Sequence, residues 1–221
     1  MPTITAIEKQ KRARRVDVHL DGAYALSLRL DLISTAHLAV GAELTAGQRR
    51  ELEAEDQRLE AIESALRLLA MGPRSEHDLR ERLGRRRGFR NQAVDAAIQR
   101  MRELGYLNDS AFARFWVESR QAGTPRSRRA LAFELNRKGV GREEQESALR
   151  DVSDTNAAYD AAQRRLRALS GADRQTFERR LGSFLNSRGF GYGVARATIQ
   201  RCWTERNEAA GEAERVRTKG L

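Results

Sequence analysis

Apolar and polar positions alternate from Arg15 to Leu20 and again from Ala23 to Leu28, the period expected of half-buried β-strands. Asp21 and Gly22 separate the two runs, a strong signal for a two-residue hairpin turn. Ile4 and Ile7 predict a third strand, and Leu30 to Ile33 predict the start of a short helix. A lone hairpin is only marginally stable in water, so this segment needs the third strand or a helix packed on it. From residue 59 onward the period becomes helical, and the pattern repeats.

Three stretches carry the repeat. Leu79 and Leu83 precede Gly88 and Phe89; Leu131 and Leu135 precede Gly139 and Val140; Leu181 and Leu185 precede Gly189 and Phe190. The glycines lie 51 and 50 residues apart, and the first copy has one extra residue before its glycine. Each stretch predicts an amphipathic helix ended by a left-handed glycine, with the next apolar residue folded back on the last turn. After each glycine a second helix follows. Its stripe is Val94, Ala97, Ile98 and Met101 in the first copy, Gln145, Ala148, Leu149 and Val152 in the second, and Ala195, Thr198, Ile199 and Cys202 in the third. Upstream lie longer helices with predicted inner faces at Ile62, Ala65, Leu66 and Leu69, at Phe112, Phe115 and Trp116, and at Tyr159, Ala162, Leu166 and Leu169. Ser75 has capping-box spacing, and Asn108, Asp109 and Asp154 are candidate caps for the first helices of the later copies.

The predicted fold is mainly α. Three tandem three-helix, helix-turn-helix-like repeats (59–108, 109–153 and 154–203) form a curved, extended array after a small α+β segment at 1–58. A tail at 204–221 follows, its last ten or so residues expected to fray. Fifty residues make a thin core, so neighbouring repeats are expected to stabilise one another.

Charge sharpens this picture. The 221 residues carry 41 Lys+Arg against 31 Asp+Glu, a net +10. Residues 1–58 are neutral, with nine of each sign, so the whole excess lies in the helical part. Only four of the cations are lysine, and arginine's planar fork suits phosphates and carboxylates. A basic helical array therefore points to a nucleic acid or an acidic protein surface. No apolar run approaches the roughly 18 residues of a membrane span, and a single cysteine excludes an internal disulfide. A cytoplasmic protein with no membrane partner is expected. His19, His37 and His77 lack ligand-spaced partners, and no phosphate loop, dinucleotide turn or nucleophile elbow is present. No cofactor, metal or catalytic residue is expected, and the protein reads as a non-enzyme.

The starts of the third helices disagree with one another. Arg90, Asn91 and Gln92 open the first, Arg142, Glu143 and Glu144 the second, and Tyr192 and Gly193 the third. Base-specific reading needs Arg, Asn, Gln or Lys there, so backbone contact or protein docking fits better.

Residues 65–70 followed by Pro73 to Leu79, the run Gly105-Tyr106-Leu107-Asn108-Asp109, the run Glu134 to Val140, and Arg188 to Tyr192 together resemble the RecX family, regulators of the RecA recombinase. The resemblance covers residues 59–203, and residues 1–58 resemble the β-hairpin extension of some members. Asn108 stands where an acid is more usual and Ser127 where many members have glycine, but both residues cap helices well. The resemblance implies a curved body of three repeats that lies in the groove of the RecA–DNA filament and inhibits strand exchange, ATP hydrolysis and coprotease activity by binding. A monomer is expected, with direct contact to single- or double-stranded DNA. The alternative is a tandem helix-turn-helix protein that binds DNA alone. In either case the expected contacts are Arg74, Arg85, Arg86, Arg87, Arg126, Arg128, Arg129, Arg137, Lys138 and Arg188.

Overall fold

A computed structural model describes residues 1–11 and 14–219. The chain forms two compact units, Met1–Leu107 and Asn108–Leu221. No helix among the described residues is long and apolar enough to cross a membrane.

The first unit opens with an antiparallel sheet in the order β1 (Ile4–Lys9), β2 (Arg15–Leu20) and β3 (Ala23–Arg29). Asp21 and Gly22 both have positive φ, 49° and 84°, as a tight hairpin between right-twisted strands requires. Val16, Val18, Leu26 and Leu28 point to one face and are buried with Ile4. Helix α1 (Leu30–Thr35) adds Leu32 to this core.

Helix α2 (Ala46–Ala70) starts in a capping box between Thr45 and Gln48. It serves two cores in succession. Leu52 and Leu59 pack against the sheet, whereas Ala61, Ala65 and Leu68 enter the next cluster. The change in charge and period at residue 58 thus falls inside one continuous helix, where its neighbour changes from sheet to helices. Asp56, in the middle of α2, is buried. It accepts hydrogen bonds from Arg15 Nη2 and from the Arg29 backbone N–H, both 2.8 Å, and so ties two strands to the helix.

Helices α3 (Glu76–Glu81) and α4 (Asn91–Glu103) complete the first bundle. Between them the backbone makes a π-helical turn, Arg82–Arg86. This turn absorbs the extra residue of the first copy. The Phe89 N–H reaches back six residues to the Leu83 carbonyl, whereas Val140 and Phe190 reach back five, to Leu135 and Leu185. Widening one turn keeps both leucines and the apolar residue in the core despite the insertion.

The second unit holds two more bundles. Helices α5 (Asp109–Gly123), α6 (Arg128–Arg137) and α7 (Arg142–Leu149) surround Phe112, Val117, Leu131, Leu135 and Leu149. Helices α8 (Asp154–Leu166), α9 (Arg174–Ser187) and α10 (Tyr192–Lys219) surround Ala158, Ala162, Phe177, Leu181, Leu185 and Cys202. The six paired leucines of the repeat are all fully buried. Gly88, Gly139 and Gly189 have φ of 74°, 69° and 85°, the left-handed helix ends that the spacing predicts.

Three details differ from the sequence-based expectation. Leu66 and Phe115 are exposed, and Leu68 and Val117 are buried in their place. Each is an apolar residue at the edge of its stripe, and the neighbouring helices select the adjacent face. Asp154 does not cap α8. Ser153 takes that role, accepting from the Asn156 N–H, while Asp154 Oδ1 accepts from the Arg128 N–H at 2.6 Å, at the start of α6. The segment 204–221, set apart above as a tail, continues α10 as far as Lys219. Its Ala, Glu and Arg residues are good helix formers. Arg206 donates to the carbonyls of Leu169 and Ala172 and lies over the Trp203 ring. The fraying expected at the very end falls on residues outside the described side chains.

Cys202 sits on the inner stripe, fully buried, and burial pushes its thiol up to about 11. A thiol reagent at about pH 8 should leave the native protein unlabelled and titrate one thiol after unfolding, because the thiolate is the reactive form. Rapid labelling of the folded protein would show that this helix opens readily.

Candidate functional site

The arginines divide into those that hold helices together and those whose guanidinium donors stay available. The first unit uses many of its arginines internally. Arg80 bridges Glu76 and Asp95 at 2.8 and 2.5 Å, joining α3 to α4, and Arg102 pairs with Glu76 as well. Arg74 is also committed. Its Nε donates to the Leu68 carbonyl at 2.9 Å and its Nη1 to Asp78 at 2.8 Å, tying the end of α2 to α3.

Arg74 and Arg82 converge on Asp78. Burial would raise the Asp78 carboxyl, but the two guanidinium hydrogen bonds outweigh it and hold the group below the ordinary carboxylate range. A carboxyl lowered in the folded state adds stability above its unfolded value and loses it as pH falls. Asp78→Asn should therefore lower the melting temperature at neutral pH and flatten its decline in acid. Melts recorded from roughly pH 7 down to pH 3 test this, and parallel curves for both proteins would refute it.

Arg85, Arg86 and Arg87 all lie exposed on or beside the π turn, and among the described residues only Arg87 makes a side-chain hydrogen bond, 3.2 Å from Ser64 Oγ. The widened turn packs its leucine inward and leaves the arginines facing solvent.

The second unit sorts the remaining predicted residues into separate places. Arg128 and Arg129 are exposed at the start of α6, lining an open groove toward α7 with Asn136, Arg142 and Asp154. Arg137 is exposed near the end of α6. Lys138 lies over the Trp116 ring, Nζ 4.9 Å from its centre, and Arg120 lies over the same ring at 4.5 Å. Glu134 anchors this arrangement by accepting from Trp116 Nε1 and Arg120 Nε, both 2.8 Å.

Arg126 and Arg188 meet where the two bundles of this unit touch. The Ser127 N–H donates to the Arg188 carbonyl at 3.2 Å, and Arg164 Nη1 donates to the Gly123 carbonyl at 2.5 Å. Arg188 lies over the Phe184 ring at 4.4 Å, with Arg165 over the same ring at 5.7 Å. Burial, followed by the nearby charges of Arg126, Arg164 and Arg165, holds the Arg188 guanidinium below the usual arginine range.

Arg164, Arg165, Phe184, Arg120 and Trp116 belong to these arrangements but were not among the expected contacts. Their local signal is weak. Phe184 and Arg188 are four apart on one helix, which allows stacking, but nothing near Arg164 and Arg165 in sequence links them to Arg126.

The third-helix starts remain chemically different in three dimensions. Arg90 is exposed, Arg142 pairs with Glu146 at 2.7 Å, and Tyr192 is largely exposed.

Comparison with known proteins covers most of the chain. Residues 2–45 match the N-terminal domain of regulatory protein RecX, residues 61–101 the first RecX three-helix domain, and residues 108–149 the second. Regulatory protein RecX of Streptomyces coelicolor is 39% identical over 151 residues, 65% of this chain and 77% of the relative. That of Amycolatopsis mediterranei is 36% identical over 153 residues, covering 68% of this chain and 87% of the relative. That of Clostridium beijerinckii is 26% identical over 209 residues, covering 91% and 96%. A crystal structure of regulatory protein RecX superposes with a TM-score of 0.63 at 22% identity, over 90% of this chain and all of the other. That of RecX from Lactobacillus salivarius gives 0.56 at 19% identity, over 66% of this chain and 97% of the other. At these identities the crystal structures speak for the fold.

Proposed function

The chain belongs to the RecX family of regulatory proteins, and from that premise we propose that it binds the RecA recombinase filament in its helical groove. It lowers strand exchange, ATP hydrolysis and coprotease activity by occupying surface, without chemistry of its own. It acts in the cytoplasm as a monomer, in DNA repair and recombination, and touches DNA directly as well as RecA. The observation that carries this reading is the placement of the positive charge. The whole excess follows residue 58, and Arg85, Arg86, Arg128, Arg129 and Arg137 present it from exposed helix ends. Exposed guanidinium groups at helix ends suit phosphates and acidic side chains, and they cost the fold little when used for binding.

Co-sedimentation with RecA filaments and with naked DNA across a salt series tests the proposal. Binding through six duplex phosphates alone loses ~10³-fold in affinity between 50 and 200 mM salt. Packed apolar and hydrogen-bonded contacts to RecA are screened far less, so filament binding should persist at physiological salt while naked-DNA binding largely disappears. Charge reversal at Arg85 and Arg86 should weaken filament binding with little change in melting temperature. Equal affinity for naked and RecA-coated DNA at every salt concentration would favour the stand-alone DNA-binding reading. Its structural support is the helix-turn-helix-like form of the bundles.

A further inference from the structure

We propose that Arg126, Arg164, Arg165 and Arg188, gathered between the second and third bundles with Arg165 and Arg188 over the Phe184 ring, form a binding site for successive phosphates of a DNA backbone. The inference rests on the direct DNA contact proposed above and gives it an address.

Four guanidinium groups from three separate stretches of chain converge here: the turn before α6, the end of α8 and the end of α9. Among the described residues, no carboxylate lies within ion-pair distance of Arg164, Arg165 or Arg188. Arg126 has only a share of one. Its Nε is 3.1 Å from Glu134 Oε1, without the alignment of a hydrogen bond, and Glu134 also serves Arg120 and Trp116. This departs from the habit of the chain, in which most arginines with a described interaction face an acid.

Hydrogen bonding points to the same place. Two buried guanidinium donors here, Arg126 Nε and Arg188 Nε, lack a hydrogen-bond partner among the described residues. Orphaned buried donors are costly in a folded protein, and bringing like charges together adds to that cost. A bound anion relieves the repulsion, reached through the exposed Arg164 and Arg165. Burial and the neighbouring arginines disfavour the charged form of Arg188, so a bound anion has a repulsive cluster to relieve.

The chemistry of the anion follows from count and geometry. One carboxylate offers a single negative charge to a cluster of four cations. Successive backbone phosphates offer one charge each, so that several guanidinium forks can each find an anion. The Phe184 ring is already occupied by Arg165 and Arg188, so it holds the guanidinium groups in place and does not stack on a base. Recognition should therefore be independent of sequence. The two bundles approach closely beside the cluster, where a side chain at Gly189 would stand only 2.7 Å from Ser127 Oγ.

The test uses the full-length protein and a fluorescently labelled oligothymidylate, measured by anisotropy from low to physiological salt. Arg188→Gln and Arg165→Gln should each weaken binding about fivefold near 0.1 M salt and reduce the magnitude of the log–log salt slope by about 0.7, the loss of one single-strand phosphate contact. Arg188→Gln should melt at or above the wild-type temperature, since it removes an unpaired buried donor and a repelled charge. Arg188→Lys should retain the salt slope and lose part of the affinity, since charge survives without the fork. An unchanged slope in both glutamine variants overturns the site. So does a fall in filament binding with naked-DNA binding unaltered, which would assign the cluster to an acidic protein surface. Failure of the wild-type protein to bind RecA filaments would count against the family-based function, while the two slopes would still decide the phosphate site.

Discussion

Gly189→Ala lowers the stability of the second unit by about 2–5 kcal/mol, whereas Gly88→Ala costs the first unit about 1–2 kcal/mol. Both glycines end the second helix of a bundle with positive φ, 85° and 74°, so both variants carry the penalty of a side chain in left-handed backbone. Their surroundings differ. A Cβ on Gly88 meets nothing within 4 Å, whereas one on Gly189 would stand 2.7 Å from Ser127 Oγ and 2.8 Å from Ala130 Cβ. Ser127 is fully buried and its hydroxyl accepts from the Ala130 N–H as the cap of α6, so it has no room to retreat. The added strain therefore falls on the contact between the two bundles. Urea unfolding of the two variants beside wild type measures the difference. Equal losses would mean that the bundles separate without cost and that the seam contributes little.

Asp56→Ala destabilises the first unit by roughly 2–4 kcal/mol. Asp56 is buried, and its two oxygens accept from the Arg15 guanidinium and the Arg29 backbone N–H at 2.8 Å each. Alanine leaves both donors without that acceptor. Arg15 keeps its bond to the Ser27 carbonyl at 2.8 Å and an ion pair to Glu60 at 3.5 Å, which places the loss below that of a fully isolated buried charge. Asp56→Asn, which retains one acceptor oxygen, should cost less. Denaturant midpoints for the two variants provide the check, and a change under about 0.5 kcal/mol for alanine would show that the sheet needs no polar tie to α2.

The hairpin, the helix-ending glycines and the paired leucines were legible in the sequence because each obeys a rule acting over a few residues. Asp21 and Gly22 can reverse two strands wherever they stand, and a left-handed glycine followed by an apolar residue ends a helix with its own backbone. Repetition made the reading firmer, since three copies placed leucines at equivalent positions, all buried. The extra residue before Gly88 was visible too, but its accommodation as a π turn was not. That outcome depends on a core that must keep Leu79, Leu83 and Phe89 together.

Tertiary structure decided what local rules leave open. Leu66 and Phe115 lie at the edge of an apolar stripe, and only the position of neighbouring helices turns them outward while Leu68 and Val117 go in. Asp154 is equally able to cap its own helix or another one, and it serves α6 because that helix start lies within reach. The expected contact arginines form a single class in the sequence, yet Arg74 is spent on holding α2 to α3, whereas Arg126 and Arg188 meet Arg164 and Arg165 across a seam. Helix period and capping act along the chain within about a turn or two. Which charged surfaces come together depends on how separately folded bundles touch, and no periodicity encodes that.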